Sequence, residues 1–188
     1  MNPFPEPFFF LPDSFDCPTK YVSEDRLLSL PNVKVFCTSR IYNRENVKIS
    51  PPVLIKEATI IRADLGKVTL GTYSLISNNC FLSPPPIETP SLSVGTNVFI
   101  GENCKIEART IYSHVYISKD CTLEQNCIIN PNVFILPNTR VGKNSIVPTG
   151  VVIKGDPFVI IGYLPEIFQE IMIDYCKRYY NSIQVVSS

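Results

Sequence analysis

The sequence predicts an all-β fold: a left-handed parallel β-helix of hexapeptide repeats, followed by a C-terminal α-helix. Three observations predict it. An aliphatic residue recurs every six positions at Ile117, Leu123, Ile129, Ile135, Val141, Val147 and Ile153. A small or β-branched residue follows four places later at Cys121, Cys127, Val133, Thr139, Ser145 and Val151. Asn or Asp often stands directly before that small residue, as at Asp120, Asn126, Asn132, Asn138 and Asn144. A helix needs a spacing near 3.6, and a hairpin strand alternates without a fixed longer period.

Six residues make one short strand and one corner, and three such hexads close a triangular coil. The aliphatic residue points inward, the small one fits the crowded corner, and Asn, Asp or Gly tolerates the backbone of the bend. Stacked coils then share one core and one hydrogen-bond ladder, as solenoids do. Upstream the register holds at Val94, Ile100, Ile106 and Ile111, with one residue missing between the last two. It continues at Leu70, Ile76 and Leu82, and more loosely at Ile49, Ile55 and Ile61.

Breaks in the register divide the chain. Residues 1–40 are expected to form an irregular N-terminal extension, rich in Pro and Phe. Residues 41–160 form the solenoid, with a Pro-rich loop at 83–91 extruded at a corner. Residues 161–188 hold a capping helix and tail. Pro165 opens that helix, which places Ile167, Phe168, Ile171, Met172, Tyr175 and Tyr179 on one side. Glu166 in the first turn and Lys177 and Arg178 in the last suit the helix dipole. The helix is expected to cover an open end or a flank of the solenoid, whose strand edges are otherwise unpaired.

Composition narrows the function. Lys plus Arg equals Asp plus Glu at 17 each. With no basic run, this offers no footprint for nucleic acid or an anionic membrane. No apolar run approaches the ~20 residues that span a bilayer. The start of the chain lacks the basic segment of a secretion signal, so a cytoplasmic address is expected. The seven cysteines include no C-x-x-C pair. Cys80, Cys104, Cys121 and Cys127 fall in the small-residue slot and are expected to be buried hydrophobes.

The residues just before each inward aliphatic point outward, and they sort by face. One face collects Leu54, Leu75, Phe99, Tyr116, Phe134 and Val152. A second collects Ile60, Phe81, Lys105, Thr122 and Arg140. The third collects Lys48, Thr69, Ser93, Thr110, Ile128 and Ile146. Only the first is apolar in every coil, and such a strip normally meets another surface. The chain's own helix or a partner protein can take it. A 16-residue helix covers only ~24 Å, so part of the strip is expected to remain as a protein interface.

Two enzymatic cousins share this repeat, the hexapeptide-repeat acyltransferases and the γ-class carbonic anhydrases. Residues 59–76, TIIRADLGKVTLGTYSLI, resemble the γ-class signature, with Arg62 and Asp64 matching its Arg and Asp. Here they are read as a structural turn or ion pair. A hydratase zinc of that class needs three histidines and an open position. The chain has one, His114, so no metal site is expected. A single His could serve an acyltransferase as general base, but no nucleophile elbow, phosphate loop or dinucleotide fingerprint accompanies it. Catalysis is the alternative reading. No catalytic residue and no cofactor are expected.

The C-terminal stretch VPTGVVIKGDPFVIIGYLPEIFQEIMIDYCKRYY (147–180) resembles the dynactin subunit 5 family. The shared features are its Gly-x-Pro turn, its Leu-Pro-Glu helix start and its Met-Ile-Asp and Tyr-Tyr pairs. IIRADLGKVTLG (60–71) and VGTNVFIGENCKIEA (94–108) resemble that family's repeats. The resemblance implies a non-catalytic, cytoskeleton-associated subunit of the dynactin pointed-end complex. It implies pairing with a second β-helix subunit (subunit 6), contact with subunit 4 and the pointed-end actin-related protein, and microtubule-based transport of endosomal cargo by dynein.

Overall fold

Short strands and sharp corners follow from what the six-residue unit leaves free: three residues to pair and three to turn. In the computed structural model, which describes residues 31–183, the strands are two to five residues long and stack into three sheets. The first sheet stacks seven parallel strands, from Val33–Val35 and Val53–Ile55 through Ser74–Ile76, Val98–Ile100, Val115–Ile117 and Val133–Ile135 to Val151–Lys154. An antiparallel strand, Val159–Tyr163, follows. The second runs from Arg40–Tyr42 to Arg140–Val141 and the third from Val47–Ile49 to Ile146–Val147, six parallel strands each. The chain visits the three sheets in rotation, which makes a left-handed β-helix of about six turns.

Register follows the hexad. On the first sheet Ile55, Ile76, Ile100, Ile117, Ile135 and Ile153 are successive rungs of one inward column. They form one core with Ile61, Leu82, Ile106, Leu123 and Val141 from the second sheet and Leu70, Val94, Ile111, Ile129 and Val147 from the third. Each of these sixteen side chains is at most 1% exposed. The break at 83–91 lies between strands Phe81–Leu82 and Ser91–Val94.

The corners explain the recurring Asn and Asp. Asn79, Asn97, Asn103, Asp120, Asn126, Asn132, Asn138 and Asn144 all have φ between 52° and 61°. This left-handed region costs most L-residues ~1–2 kcal/mol but is tolerated by short polar side chains. Their amides also bond along the solenoid: Asn103 Nδ2 donates to Asp120 Oδ1 at 3.0 Å, and Asn126 Nδ2 to Asn144 Oδ1 at 2.8 Å. A second column binds coil to coil from inside. The side chains of Ser39, Thr59, Cys80, Cys104 and Cys121 each donate to a backbone carbonyl of the next coil.

At one kind of corner the coils approach too closely for any side chain. A Cβ on Gly101 would lie 2.7 Å from backbone atoms of Lys119 and Ser118. One on Gly95 would lie 2.7 Å from the Ser113 nitrogen.

The helix, α1 (Phe168–Ser182), lies on the flank of the first sheet. It differs from expectation in three ways. Ile167 is 59% exposed, while Cys176 and Tyr180 join Phe168, Met172 and Tyr175 in the buried side. The acidic residue of the first turn is Glu170, and the last turn has no basic residue, so Lys177 and Arg178 do not serve the helix end. A cation from the first coil does: Lys34 Nζ donates to the carbonyls of Tyr180 and Ile183 at 2.9 and 2.7 Å. The extension expected at 1–40 lies outside the described residues as far as 30; from Val33 onward the chain is already solenoid.

Candidate interaction surface

Face by face, burial decides which wall is occupied. On the second and third sheets the outward residues stay in contact with water, from half-buried Thr122 and Thr110 to exposed Lys105, Arg140 and Ile146. On the first sheet all three residues of Val53–Ile55, Ser74–Ile76, Val98–Ile100, Val115–Ile117 and Val133–Ile135 are buried. The outward residues Leu54, Leu75, Phe99, Tyr116, Phe134 and Val152 form a second core with Phe168, Met172, Tyr175, Cys176, Tyr180 and Ile183.

Aromatic rings organise this layer. Phe99, Tyr116 and Phe134, on successive rungs, stack with centroids 4.8 and 4.7 Å apart. Helix rings meet them edge-on: Tyr175 lies 5.4 Å from Phe99 and 5.6 Å from Tyr116, Tyr179 lies 5.3 Å from Phe99, and Phe168 lies 6.4 Å from Phe134. Such pairs add ~0.5–1.5 kcal/mol each beyond burial. Burial also pushes the Tyr175 hydroxyl and the Cys176 thiol above their usual ranges.

The expectation that part of this strip stays open as a protein interface is therefore corrected. Leu54, Leu75, Phe99, Tyr116, Phe134 and Val152 are at most 9% exposed, because α1 is long enough to cover all of them. Six rungs spaced ~4.8 Å apart measure ~24 Å, and a helix of 15 residues spans ~22 Å. Length matches length, and the strip is intramolecular.

Elsewhere the residues singled out by sequence sit as follows. Arg62 Nε and Nη2 donate to the two carboxylate oxygens of Asp64 at 2.8 and 2.7 Å, and the guanidinium also lies 5.4 Å from the Tyr42 ring. That hydrogen bond holds the Asp64 carboxyl below its usual range. His114 occupies the corner directly before Val115, with φ 59°, in one column with Asn97 and Asn132. Desolvation lowers its pKa, opposed by the Glu170 carboxylate of α1. Cys80, Cys104, Cys121 and Cys127 are at most 1% exposed, and burial pushes the Cys127 thiol up to about 12. Among the described residues no group of three His, Cys, Asp or Glu side chains converges to hold a metal ion. No helix there is long and apolar enough to cross a membrane.

One surface escaped the sequence pattern. Val159–Tyr163, after the hexads stop, is a strand that folds back antiparallel on Val151–Lys154. Its residues Val159, Ile160, Ile161 and Tyr163 are 57, 44, 41 and 72% exposed. The only signal for it in the sequence is β-branched content between two prolines.

A stack of triangular coils with hexad register, Asn corners and a flanking helix defines the hexapeptide-repeat β-solenoids. Among solved structures, a hexapeptide transferase family protein of Anaplasma phagocytophilum superposes with TM-score 0.60 at 16% identity, covering 79% of this chain and 89% of that one. A hexapeptide-repeat acetyltransferase of Vibrio cholerae, solved with acetyl coenzyme A, does so with TM-score 0.50 at 17% identity over 65% of this chain and 74% of that one. These likenesses show the fold. The family model "Dynactin subunit 5" matches residues 21–187, and the chain belongs to that family. Dynactin subunit 5 of Dictyostelium discoideum is 29% identical over 102 residues, half of this chain and 51% of that protein. YvoF of Bacillus subtilis, named as an acetyltransferase, is 30% identical over 122 residues, 60% of this chain and 66% of that protein. The chain thus spans about half to two thirds of the curated relatives it matches.

Proposed function

We propose that this chain is a non-catalytic subunit of the dynactin pointed-end complex. It pairs there with a second β-helix subunit (subunit 6), contacts subunit 4 and the pointed-end actin-related protein, and supports attachment of endosomal cargo to dynein in the cytoplasm. The observation that carries this reading is the reach of the family match. Residues 21–187 take in the whole described solenoid and α1, the two parts whose mutual packing consumes the apolar wall.

The test is affinity purification of the tagged full-length chain from its own cells, followed by mass spectrometry. Co-elution of an actin-related protein together with subunit 6 is expected. Recovery without any actin-related protein at low salt overturns the reading.

The likeness to YvoF favours one second reading, an acyltransferase that uses His114 as general base. Against it stands what His114 does in the fold, where it fills the same left-handed corner slot as Asn97 and Asn132. Calorimetric titration with acetyl coenzyme A separates the two. Saturable binding together with acetyl transfer that His114→Asn removes would favour the enzyme.

A further inference from the structure

We infer that the chain caps its own C-terminal edge: residues 8–11, Phe-Phe-Phe-Leu, add as a strand to Val159–Tyr163. The inference goes beyond the pairing proposed above and does not depend on it.

The edge is open and apolar. Val159–Tyr163 is the last strand of its sheet, paired on one side with Val151–Lys154 and on the other with no strand of the described residues. A free row of N–H and C=O groups templates another strand, and natural edges are blunted by charge, by proline, by shortness or by a covering segment. The first strands of the three sheets carry Lys34, Arg40 and Lys48, and the last strand of the second carries Arg140. The last strand of the third, Ile146–Val147, is two residues long and runs into Pro148. Val159–Tyr163 has five residues with no charge and no proline among them. Its Val159, Ile160, Ile161 and Tyr163 are 57, 44, 41 and 72% exposed. Of those devices only a cover is left to it.

Reach selects the cover within this chain. Both ends of the described structure lie at the first coil, where Lys34 bonds the Ile183 carbonyl. Val159–Tyr163 is the eighth strand of the sheet that Val33–Val35 begins, seven steps of ~4.8 Å or ~34 Å away. Residues 184–188 extend ~17 Å at most and residues 27–30 ~14 Å, so neither arrives. Residues 12–30 extend to ~65 Å, which carries residues 8–11 to the edge with slack. That run is uncharged like the edge, and Pro7 and Pro12 bracket it. Proline has no N–H to give a ladder, so the brackets limit the added strand to four residues, against five in the edge.

Tethering selects this segment over a second copy meeting edge to edge and over a strand of another protein. A segment on a flexible linker of this kind is present at an effective concentration in the millimolar range. A free chain at micromolar concentration faces it at a disadvantage of about a thousandfold.

The experiment is hydrogen exchange with mass spectrometry on the full-length chain, repeated from low to high micromolar concentration. It compares wild type, Phe9→Asp/Phe10→Asp and the conservative Phe9→Leu/Phe10→Leu. The expected result is protection of the Val159–Tyr163 amides that is independent of concentration, falls at least tenfold in the Asp variant and persists in the Leu variant. A reciprocal arm perturbs the other strand: Ile161→Lys/Tyr163→Glu should speed chymotrypsin cleavage after Phe8, Phe9 or Phe10 at least tenfold, with exchange of the inner strands unchanged. Unprotected edge amides in wild type overturn the inference. Protection that grows with concentration assigns the edge to a second copy and overturns it too. So does protection that is independent of concentration and survives Phe9→Asp/Phe10→Asp, or cleavage that the edge variant leaves unchanged.

Discussion

Truncating Phe99 to Ala tests whether the apolar wall is an internal seam. Phe99 is 7% exposed, stacks on Tyr116 at 4.8 Å, and receives Tyr175 and Tyr179 edge-on at 5.4 and 5.3 Å. A buried Phe→Ala change costs ~3–5 kcal/mol, and the three ring contacts place this site within that range. The loss falls on the seam between solenoid and helix, because the inward column, Ile100 among it, is untouched. Local undocking of α1 should therefore ease before the coils unfold. A loss of ~3 kcal/mol corresponds to a roughly hundredfold faster exchange of the α1 amides, while amides of the inner strands slow-exchange as before. Native-state hydrogen exchange with mass spectrometry reads both regions at once. Unchanged exchange in α1 would refute the assignment of this wall to the helix.

Further outcomes follow from single contacts. Gly101→Ala drives a Cβ to 2.7 Å from the neighbouring coil's backbone, whereas Gly142→Ala meets only the Ser145 Oγ at 3.6 Å. The first should cost at least ~2 kcal/mol in urea unfolding and the second stay within ~0.5 kcal/mol. Lys34→Met removes two hydrogen bonds to the end of α1 and a cation 3.9 Å from the Tyr180 ring. It should cost ~1.5–3 kcal/mol, read as frayed exchange confined to the last turn. His114 has a pKa below its ordinary value in the folded state, so the unfolded chain binds its proton first and stability declines as pH falls below ~6.5. His114→Asn, which suits the same left-handed corner, should flatten that part of the pH profile at little cost in thermal midpoint; a steeper profile would contradict the placement.

Much of the fold was legible because the hexad acts locally. Every inward aliphatic from Ile55 to Ile153 lands in the core, and each corner Asn or Asp named from the sequence takes up a positive φ. A corner that needs a left-handed residue announces itself in the residue type. The apolar composition of one wall was legible too, since it follows from the same register. Its occupant was not. That depended on a length match between strip and helix, on Tyr175 and Tyr179 reaching Phe99 across the seam, and on Lys34 reaching the far end of a helix nearly 150 positions away.

The sequence by itself thus determined the period, the coil and the inward column, because each depends on spacing within a few residues. Tertiary structure alone decided which apolar surface is spent inside the molecule and which is left outside. The strip from Leu54 to Val152 is closed by α1, while Val159–Tyr163, with no repeat to mark it, emerges as the exposed edge. Burial is a property of what lies opposite a side chain, and no local pattern encodes that.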